Sequence, residues 1–451
     1  MRVTGSDTAI LPMDDQLTLA LSRHLPPRSN RLGLRIKDLG RALSAFAQRA
    51  PTVVALHYVN VFRVSHHELQ CVEIDGCQFT NENRRCQYVN HPAEKIMIGN
   101  RLKRARDALG LSLRELEAAI QGHVSAQAIG KYERDEMMPS SAVLLALAKA
   151  LKVSPEYLLS EREIELTGVD FRKAPHAGVK EERAVEASVL DQVERYLELE
   201  ELLPGVDQPW DAPLSEAFAI NCIEDAEQAA NALRNLWRLG IDPIPFMAEL
   251  LEDKGVKVIA LDLPENVSGS KAFVQSPKRG DVPVIVVNQS HNGERQRFTL
   301  AHELAHLVLR FSGLSDAEQE KAADRFAGAF LMAKDMVLRL LGEHRTSISI
   351  GELAELKKIF KVSVASLVVR CSQLGILPKQ AYGRLWAQIK SMGWNGQAST
   401  EPNLLPAEVP QRMERLCLRA VSEGAISEAR AAELLSISVR ELDRRLMGQA
   451  A

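Results

Sequence analysis

A chain of 451 residues is longer than one hydrophobic core usually supports, so we expect several domains. Apolar residues make up 46% of the chain and charged residues 25%, which excludes a fibrous or wholly disordered class. The net charge is only −3, so nucleic-acid binding would depend on a local basic patch. Six cysteines are too few for a disulfide scaffold. Without a long apolar run or an apolar leader, we expect a cytoplasmic protein with no membrane partner.

Residues 1–95 form an N-terminal extension that carries little readable pattern. The stretch PTVVALHYVNVFRV (51–64) is strand-like, but its surroundings show no clean period. Met97 opens a far more regular stretch. We therefore hypothesise that the natural start is Met97 and that the upstream segment has little structure. Recovery of residues 1–95 by N-terminal sequencing of the native protein would refute this.

The region 96–160 is predicted to be five short helices with tight connections. Ser112 and Glu115 form a capping box that begins the second helix, and Gly122 ends it. The later helices begin at further caps or prolines: Ser125, Pro139–Ser140 and Ser154–Pro155. Two short helices joined by a brief turn are typical of a helix-turn-helix, whose second member lies in the major groove of DNA.

In that geometry, the exposed front of the third helix carries four candidate DNA-binding residues: Ser125, Ala126, Gln127 and Lys131. Gln127 can pair with adenine, and Lys131 can bind guanine or phosphate. Arg101 and Arg104 on the first helix are two further candidates. The basic excess of this region is weak, so a small bundle that binds nothing stays open as an alternative.

The order of residues here closely resembles the XRE (Cro/C1-type) helix-turn-helix family. VSAQAIGKYERDEMMPSSAVLLALAKAL (124–151) follows the family pattern across the third and fourth helices. Asp135 stands where the family usually has glycine. The resemblance implies binding to operator DNA, normally as a homodimer.

A helical linker (161–215) and several strands are predicted next. Val185, Val189 and Val193 lie at helical spacing in a segment that Pro204–Gly205 ends. This helix either dimerises or packs on its own neighbours. Three β-rich stretches then follow, namely GVKVIALDL (255–263), SKAFVQ (270–275) and VPVIVVN (282–288).

The stretch RFTLAHELAHLVLR (297–310) places three polar side chains on an otherwise apolar helix. His302, Glu303 and His306 form the pattern H-E-x-x-H. Residues four apart share a helix face, so both imidazoles can reach one ion, and Zn²⁺ suits this work. Glu303 is then placed to act as the catalytic general base. The alternative, a surface helix with two solvated histidines, conflicts with the lack of a polar face.

A third metal ligand is required, and the next helix supplies candidates. Glu320 and Asp324 are four residues apart in DAEQEKAADRFAGAFLMA (316–333), so they share a face. Glu320 is the favoured ligand, with Asp324 orienting a ligand histidine. Glu318 is the alternative ligand, and its partner at the same spacing is Ala322.

ERQRFTLAHELAHLVL (294–309) followed by EKAADRFAGAFLM (320–332) resembles the ImmA/IrrE family of gluzincin-type metallopeptidases. The resemblance implies His302, His306 and Glu320 as zinc ligands, Glu303 as general base and Asp324 as a supporting carboxylate. The family commonly has proline where Ala333 stands. The fold expected for the whole chain is multidomain and mainly α: a five-helix XRE-type bundle plus an α+β gluzincin-like domain with a small sheet and a helical C-terminal extension.

The expected division of the remaining chain has three parts. The metallopeptidase domain spans 216–345, and a helical extension spans 346–395. A linker lies near 393–406. The segment 405–451 again shows helix, turn and helix, with Ser438 and Glu441 as a capping box. Its balanced charges favour protein packing over DNA binding.

Together, the two resemblances suggest a transcriptional regulator carrying a zinc-dependent endopeptidase. By that likeness, it cleaves a repressor-type protein in a stress or mobile-element response. The alternative is a non-catalytic transcription factor or antitoxin-like autoregulator that uses the zinc fold as a sensor or structural unit. The sequence does not separate these two, since both retain every catalytic residue.

Overall fold

The computed structural model describes residues 97–159, 164–168, 179–213, 215–394, 401–402 and 405–449. The hypothesis about residues 1–95 and Met97 as the natural start falls on a segment outside these ranges. Within them, no helix combines the length and apolarity needed to cross a membrane.

The first domain is a five-helix bundle, as the sequence predicts. Its helices are α1 (Gly99–Ala108), α2 (Leu113–Ala119), α3 (Ala126–Glu133), α4 (Ser141–Leu151) and α5 (Pro155–Leu159). The predicted capping box at Ser112 and Glu115 is present, with both reciprocal hydrogen bonds made. Leu102, Leu116 and Ile129 are fully buried at the centre of the bundle. These apolar residues from three helices hold the bundle together.

One long helix, α6 (Val179–Leu202), contacts three parts of the chain. Val189, Val193 and Leu197 pack on the sheet of the second domain. Farther along, Leu199 packs with the C-terminal helices, while α1 of the bundle lies along another side. Apart from Leu202, which is 40% exposed, the large apolar residues described on α6 are at least partly covered within the chain, which favours packing on its own neighbours over dimerisation.

The main sheet has four strands in the order β1-β4-β5-β3. They are β1 (Glu165–Thr167), β3 (Lys257–Leu261), β4 (Gly269–Ser276) and β5 (Gly280–Asn288). β3 is parallel to β5, while β4 is antiparallel to both β5 and β1. Val282, Val284 and Val286 of β5 pack on the α6 side of the sheet, while Ile285 and Val287 pack against a helix on the other side, so β5 is buried on both faces.

The helix on that other face is α9, and it shares a core with several more helices. Residues 216–218 form a 3₁₀ turn, followed by β2 (Ala219–Ile220), α7 (Asp225–Leu236), α8 (Met247–Asp253), α9 (Gly293–Val308), β6 (Arg310–Phe311), α10 (Asp316–Leu331), α11 (Lys334–Leu341), α12 (Ile350–Phe360), α13 (Val364–Gln373) and α14 (Lys379–Ser391). One hydrophobic core runs from Phe218 to Ile389. The helices after α10 therefore pack into the same core as the H-E-x-x-H helix.

Part of the predicted linker near 393–406 is fixed in place by buried carboxylates. Glu401 accepts a hydrogen bond from the Val364 amide at the start of α13. Just beyond the linker, Glu408 accepts hydrogen bonds from the first two amides of α8 and pairs with Arg297. Helix N-termini favour negative charge, so both glutamates hold the chain against the second domain.

The C-terminal segment forms three helices, α15 (Arg412–Ser422), α16 (Glu428–Leu434) and α17 (Val439–Leu446). Their core includes Cys417, Leu434 and Leu442, and it also takes in Leu199 and Leu203 at the end of α6. Arg195 of α6 donates a hydrogen bond to the Leu434 carbonyl at the end of α16. The segment thus packs on protein through its apolar face.

Candidate metal centre and DNA-binding face

The H-E-x-x-H residues lie on the second half of α9, with α10 beside it. Asn292 caps α9 by accepting a hydrogen bond from the Arg295 amide. Leu300, Ala301, Leu304 and Ala305 are fully buried and fix the helix against the core. His302, Glu303 and His306 point from the opposite side and are only partly buried. The apolar flanks thus position the polar groups at a sheltered surface.

Three side chains converge on one point. The Nε2 atoms of His302 and His306 lie 3.2 Å apart. The Glu320 carboxylate lies 3.2 Å from His302 Nε2 and 3.7 Å from His306 Nε2. One ligand atom from each of these residues falls within 4.8 Å of the others.

The two candidate carboxylate ligands, Glu318 and Glu320, have different roles in the structure. Glu318 is exposed and forms a capping box with Ser315 at the start of α10, where its carboxylate accepts a hydrogen bond from the Ser315 amide at 2.9 Å. Asp324 lies behind the first histidine, with Oδ1 2.9 Å from His302 Nδ1. The geometry therefore groups Glu320 and Asp324 with the histidines, and leaves Glu318 as a cap.

These carboxylates determine the charge of His302. Burial lowers the pKa of this imidazole, but hydrogen bonds to Asp324 and Glu320 and the nearby Glu303 charge outweigh burial and raise the pKa to about 10. The cluster therefore favours positive charge at its centre, which either a proton or a metal cation can supply.

The second candidate surface is the outer face of α3. Ser125 caps this helix by accepting a hydrogen bond from the Ala128 amide, and Ala126 follows it. Gln127 and Lys131 are exposed and one turn apart, so they share a face. The structure brings these four predicted residues together at the front of α3.

Arg101 and Arg104 do not belong to this face, which corrects the prediction made for them. Arg101 is only 4% exposed and pairs bidentately with Glu194 of α6. Arg104 binds the same carboxylate and also donates to the Ile164 carbonyl at 3.0 Å. Basic charge on α1 was predictable, but its burial under α6 depends on a partner 93 residues away.

Family models match both domains. Residues 102–158 match the family described as Helix-turn-helix, and residues 251–372 match the peptidase family described as IrrE N-terminal-like domain. This chain joins a helix-turn-helix domain to an IrrE N-terminal-like domain. No curated protein matches the chain.

The donor set of the IrrE N-terminal-like domain fits a zinc ion. Two ligands that each lie about 2.0–2.1 Å from a tetrahedral ion are separated by roughly 3.3–3.4 Å. The two distances of 3.2 Å at His302 Nε2 are close to this value. Two imidazoles and one carboxylate are also a usual catalytic zinc set.

Both departures from the family patterns have local explanations. Asp135 of the helix-turn-helix domain has a φ of 52°, the left-handed region that explains the usual glycine. Its carboxylate also accepts hydrogen bonds from the Ile98 and Gly99 amides, both at 2.9 Å, and so caps α1. Ala333 has a φ of −54°, which a proline ring also permits, so alanine keeps the backbone unchanged.

Two residues near these sites were not identified from the sequence. The Phe311 ring lies 6.0 Å from the His306 ring, because the parallel pairing of β2 with β6 returns the chain beside α9. Arg134 is exposed and continues the face of Gln127 and Lys131. Its helical spacing from Lys131 is the signal that identifies it.

Proposed function

We propose that this chain is a DNA-binding transcriptional regulator that hydrolyses a peptide bond in a repressor-type protein, in a stress or mobile-element response. The observation that carries the proposal is the convergence of His302, His306 and Glu320 within 4.8 Å on an IrrE N-terminal-like domain. The attached helix-turn-helix domain supports a regulatory role over a housekeeping one, because unselective proteolysis gains nothing from operator binding.

His302, His306 and Glu320 would hold Zn²⁺, and Asp324 would keep the His302 ring oriented through its Nδ1. When bound, zinc supplies Lewis acidity that polarises a carbonyl and makes water more acidic. Glu303 adjoins the first ligand on the same helix. Its carboxylate takes the proton of the attacking water and delivers it to the leaving amine. The buried apolar side of α9 keeps these groups in one arrangement.

On the DNA side, α3 would enter the major groove. Gln127 offers an amide for adenine, and Lys131 offers a cation for guanine or phosphate. Ser125 and Ala126 lie at the N-terminal end of α3, where helix-turn-helix proteins contact base edges. Binding as a homodimer, with half-sites about one DNA turn apart, is part of this proposal.

Three variants test the peptidase, co-expressed with repressor-type proteins encoded beside its gene. Glu303→Gln should keep stoichiometric zinc and lose cleavage, whereas His302→Ala should lose both. Glu343→Gln is the matched control, because Glu343 is exposed on the loop after α11. Cleavage is read by mass spectrometry of the candidate repressor.

The outcomes separate an enzyme from a zinc-holding regulator. Equal survival of every candidate in the wild type and in Glu303→Gln, with zinc bound to both, would overturn the peptidase and favour a sensor or structural role. Cleavage by the wild type and by Glu343→Gln, but not by Glu303→Gln, supports catalysis.

A further inference from the structure

The outer edge of β4 is divided into two parts. β1 pairs with its second half, where Glu165 faces Gln275 and Thr167 faces Phe273. Among the described residues, no strand pairs with the outer edge of β4 before Phe273. The Asn288 amide donates a hydrogen bond to the Ser268 carbonyl. In an antiparallel pair, successive residues of a strand direct their main-chain N–H and C=O groups to opposite sides. The main-chain groups of Gly269 and Lys271 therefore point away from β5. These main-chain groups are thus directed towards the same side of β4 on which β1 pairs.

β4 packs against α9, the helix that carries the H-E-x-x-H residues. A Cβ built on Gly269 would lie 2.6 Å from Thr299 Cγ2, so the strand runs directly against α9. One residue earlier, Ser268 accepts hydrogen bonds from Arg295. Thr299 is one helical turn before Glu303. The start of β4 thus lies against α9 one helical turn before Glu303, and β1 pairs with the second half of β4.

β1 is tied to the helix-turn-helix domain. Arg104 of α1 donates a hydrogen bond to the carbonyl of Ile164, the residue immediately before β1, at 3.0 Å. The same guanidinium lies 3.2 Å from Glu194 of α6, which also pairs with Arg101. These contacts dock α1 on α6 and hold the start of β1 at once.

We propose that β1 is an intramolecular occupant of the substrate-binding edge and that Arg104 is its positioning residue. Substrate access would then depend on where the helix-turn-helix domain lies. With α1 docked, β1 occupies the β4 edge from Phe273 to Gln275 and so blocks an extended segment from pairing there. When α1 leaves α6, β1 loses the Arg104 hydrogen bond and is then held by its pairing with β4 and by the packing of Ile164 and Leu166, so this part of the edge opens more readily. The part concerning substrate rests on the proposed function; the anchoring of β1 does not.

Hydrogen exchange of the full chain tests the anchor directly. Arg104→Ala should speed amide exchange about tenfold to hundredfold in peptides covering 164–168 and 273–275, the range for losing a hydrogen bond to a charged group. Arg114→Ala is the matched control, because Arg114 is an exposed arginine of α2. Unchanged exchange at β1 in Arg104→Ala would overturn the proposal.

A second variant leaves the helix-turn-helix domain intact. Thr167→Pro removes the amide that the register pairs with Phe273, so β1 should detach without any change in α1. Exchange should then rise at 273–275 while the α1 peptides stay protected. Protection of 273–275 equal to that of the wild type would contradict the role of β1.

Cleavage of fluorescein-labelled denatured casein by the zinc-loaded protein tests whether release of β1 increases substrate access. Arg104→Ala and Thr167→Pro should cleave faster than the wild type and Arg114→Ala. If hydrogen exchange shows that β1 is released in Arg104→Ala and Thr167→Pro, and yet all four proteins cleave at the same rate, the proposal that β1 limits substrate access is overturned. If none cleaves casein although β1 is released, the proposed peptidase is weakened while the anchor stands.

Discussion

Arg101 forms a bidentate salt bridge with Glu194, and both side chains are almost fully buried. Arg101 also stacks over the Tyr157 ring, 5.0 Å from its centroid. Arg101 lies on the first helix of the helix-turn-helix domain, whereas Glu194 lies on the long helix α6. Their pairing turns a predicted DNA contact into an attachment between domains.

Breaking this pair from one side should be costly. Glu194→Ala leaves the Arg101 guanidinium buried without its carboxylate, and losing one partner of a buried pair typically costs about 3–5 kcal/mol. We expect the helix-turn-helix domain to detach from α6 and become sensitive to limited proteolysis. Glu181→Ala, at an exposed glutamate on the same helix, is the control. Equal proteolysis of both variants would contradict the attachment.

Removing the carboxylate behind His302 should weaken metal binding without abolishing it. Asp324→Asn loses the charge that orients the His302 ring, and such changes typically cost about 10–100-fold in metal affinity. Competition with a chromogenic zinc chelator measures the effect. Asp316→Asn, an exposed aspartate on the same helix, should bind zinc like the wild type. A similar affinity for both variants would contradict the role of Asp324 in orienting His302.

Lys131→Ala should weaken binding to an operator fragment taken from beside the gene. A lost base or phosphate contact from α3 costs roughly 1–3 kcal/mol, about 10–100-fold in Kd. Lys149→Ala is the control, since Lys149 is an exposed lysine on α4. Fluorescence anisotropy at fixed salt gives the comparison. An equal loss for both lysines would indicate general charge attraction and no specific role for α3.

Asp135 should show two separable contributions to stability. Asp135→Gly keeps the left-handed backbone but loses the cap on α1, a loss of about 0.5–2 kcal/mol. Asp135→Ala also loses the cap but, like the wild type, keeps a Cβ at a φ of 52°, a strain of roughly 1 kcal/mol that glycine relieves. Urea unfolding should therefore place Asp135→Ala below both the wild type, which has the cap, and Asp135→Gly, which lacks the strain. The reverse order of the two variants would contradict the backbone argument.

Glu252 should make stability depend on pH. Burial raises the pKa of this carboxyl from 4.5 to about 7, although the Arg412 amide and the Tyr196 hydroxyl donate hydrogen bonds to it. Between these two values the unfolded chain loses its proton while the folded chain keeps it. The folded state then binds more protons, so the free energy of unfolding falls as pH rises through this window.

The full effect is roughly 3 kcal/mol, from about 1.4 kcal/mol per pKa unit. Glu252→Gln should therefore flatten the decline in stability between about pH 5 and pH 7, measured by urea unfolding. The exposed Glu343→Gln should retain the wild-type slope. An unchanged slope in Glu252→Gln would show that this carboxyl ionises normally in the fold.

Local patterns in the sequence determined the parts of this protein that depend on nearby residues. The spacing of His302, Glu303 and His306 fixes them on one side of a helix, because four residues make about one turn. Glu320 and Asp324 follow the same rule on the next helix. Caps such as Ser112, and the glycine-like position of Asp135, likewise depend on only a few neighbours.

Tertiary structure alone decided which charges are buried and which element covers which edge. Nothing local distinguishes Arg101 from Lys131, since both are basic residues on short amphipathic helices. The two differ only once α6 packs against α1, because Glu194 then buries Arg101 in an ion pair while Lys131 stays exposed. The placement of β1 on β4 likewise joins residues about a hundred positions apart. Such pairings depend on burial and long-range register, and these are set by the assembled core rather than by periodicity along the chain.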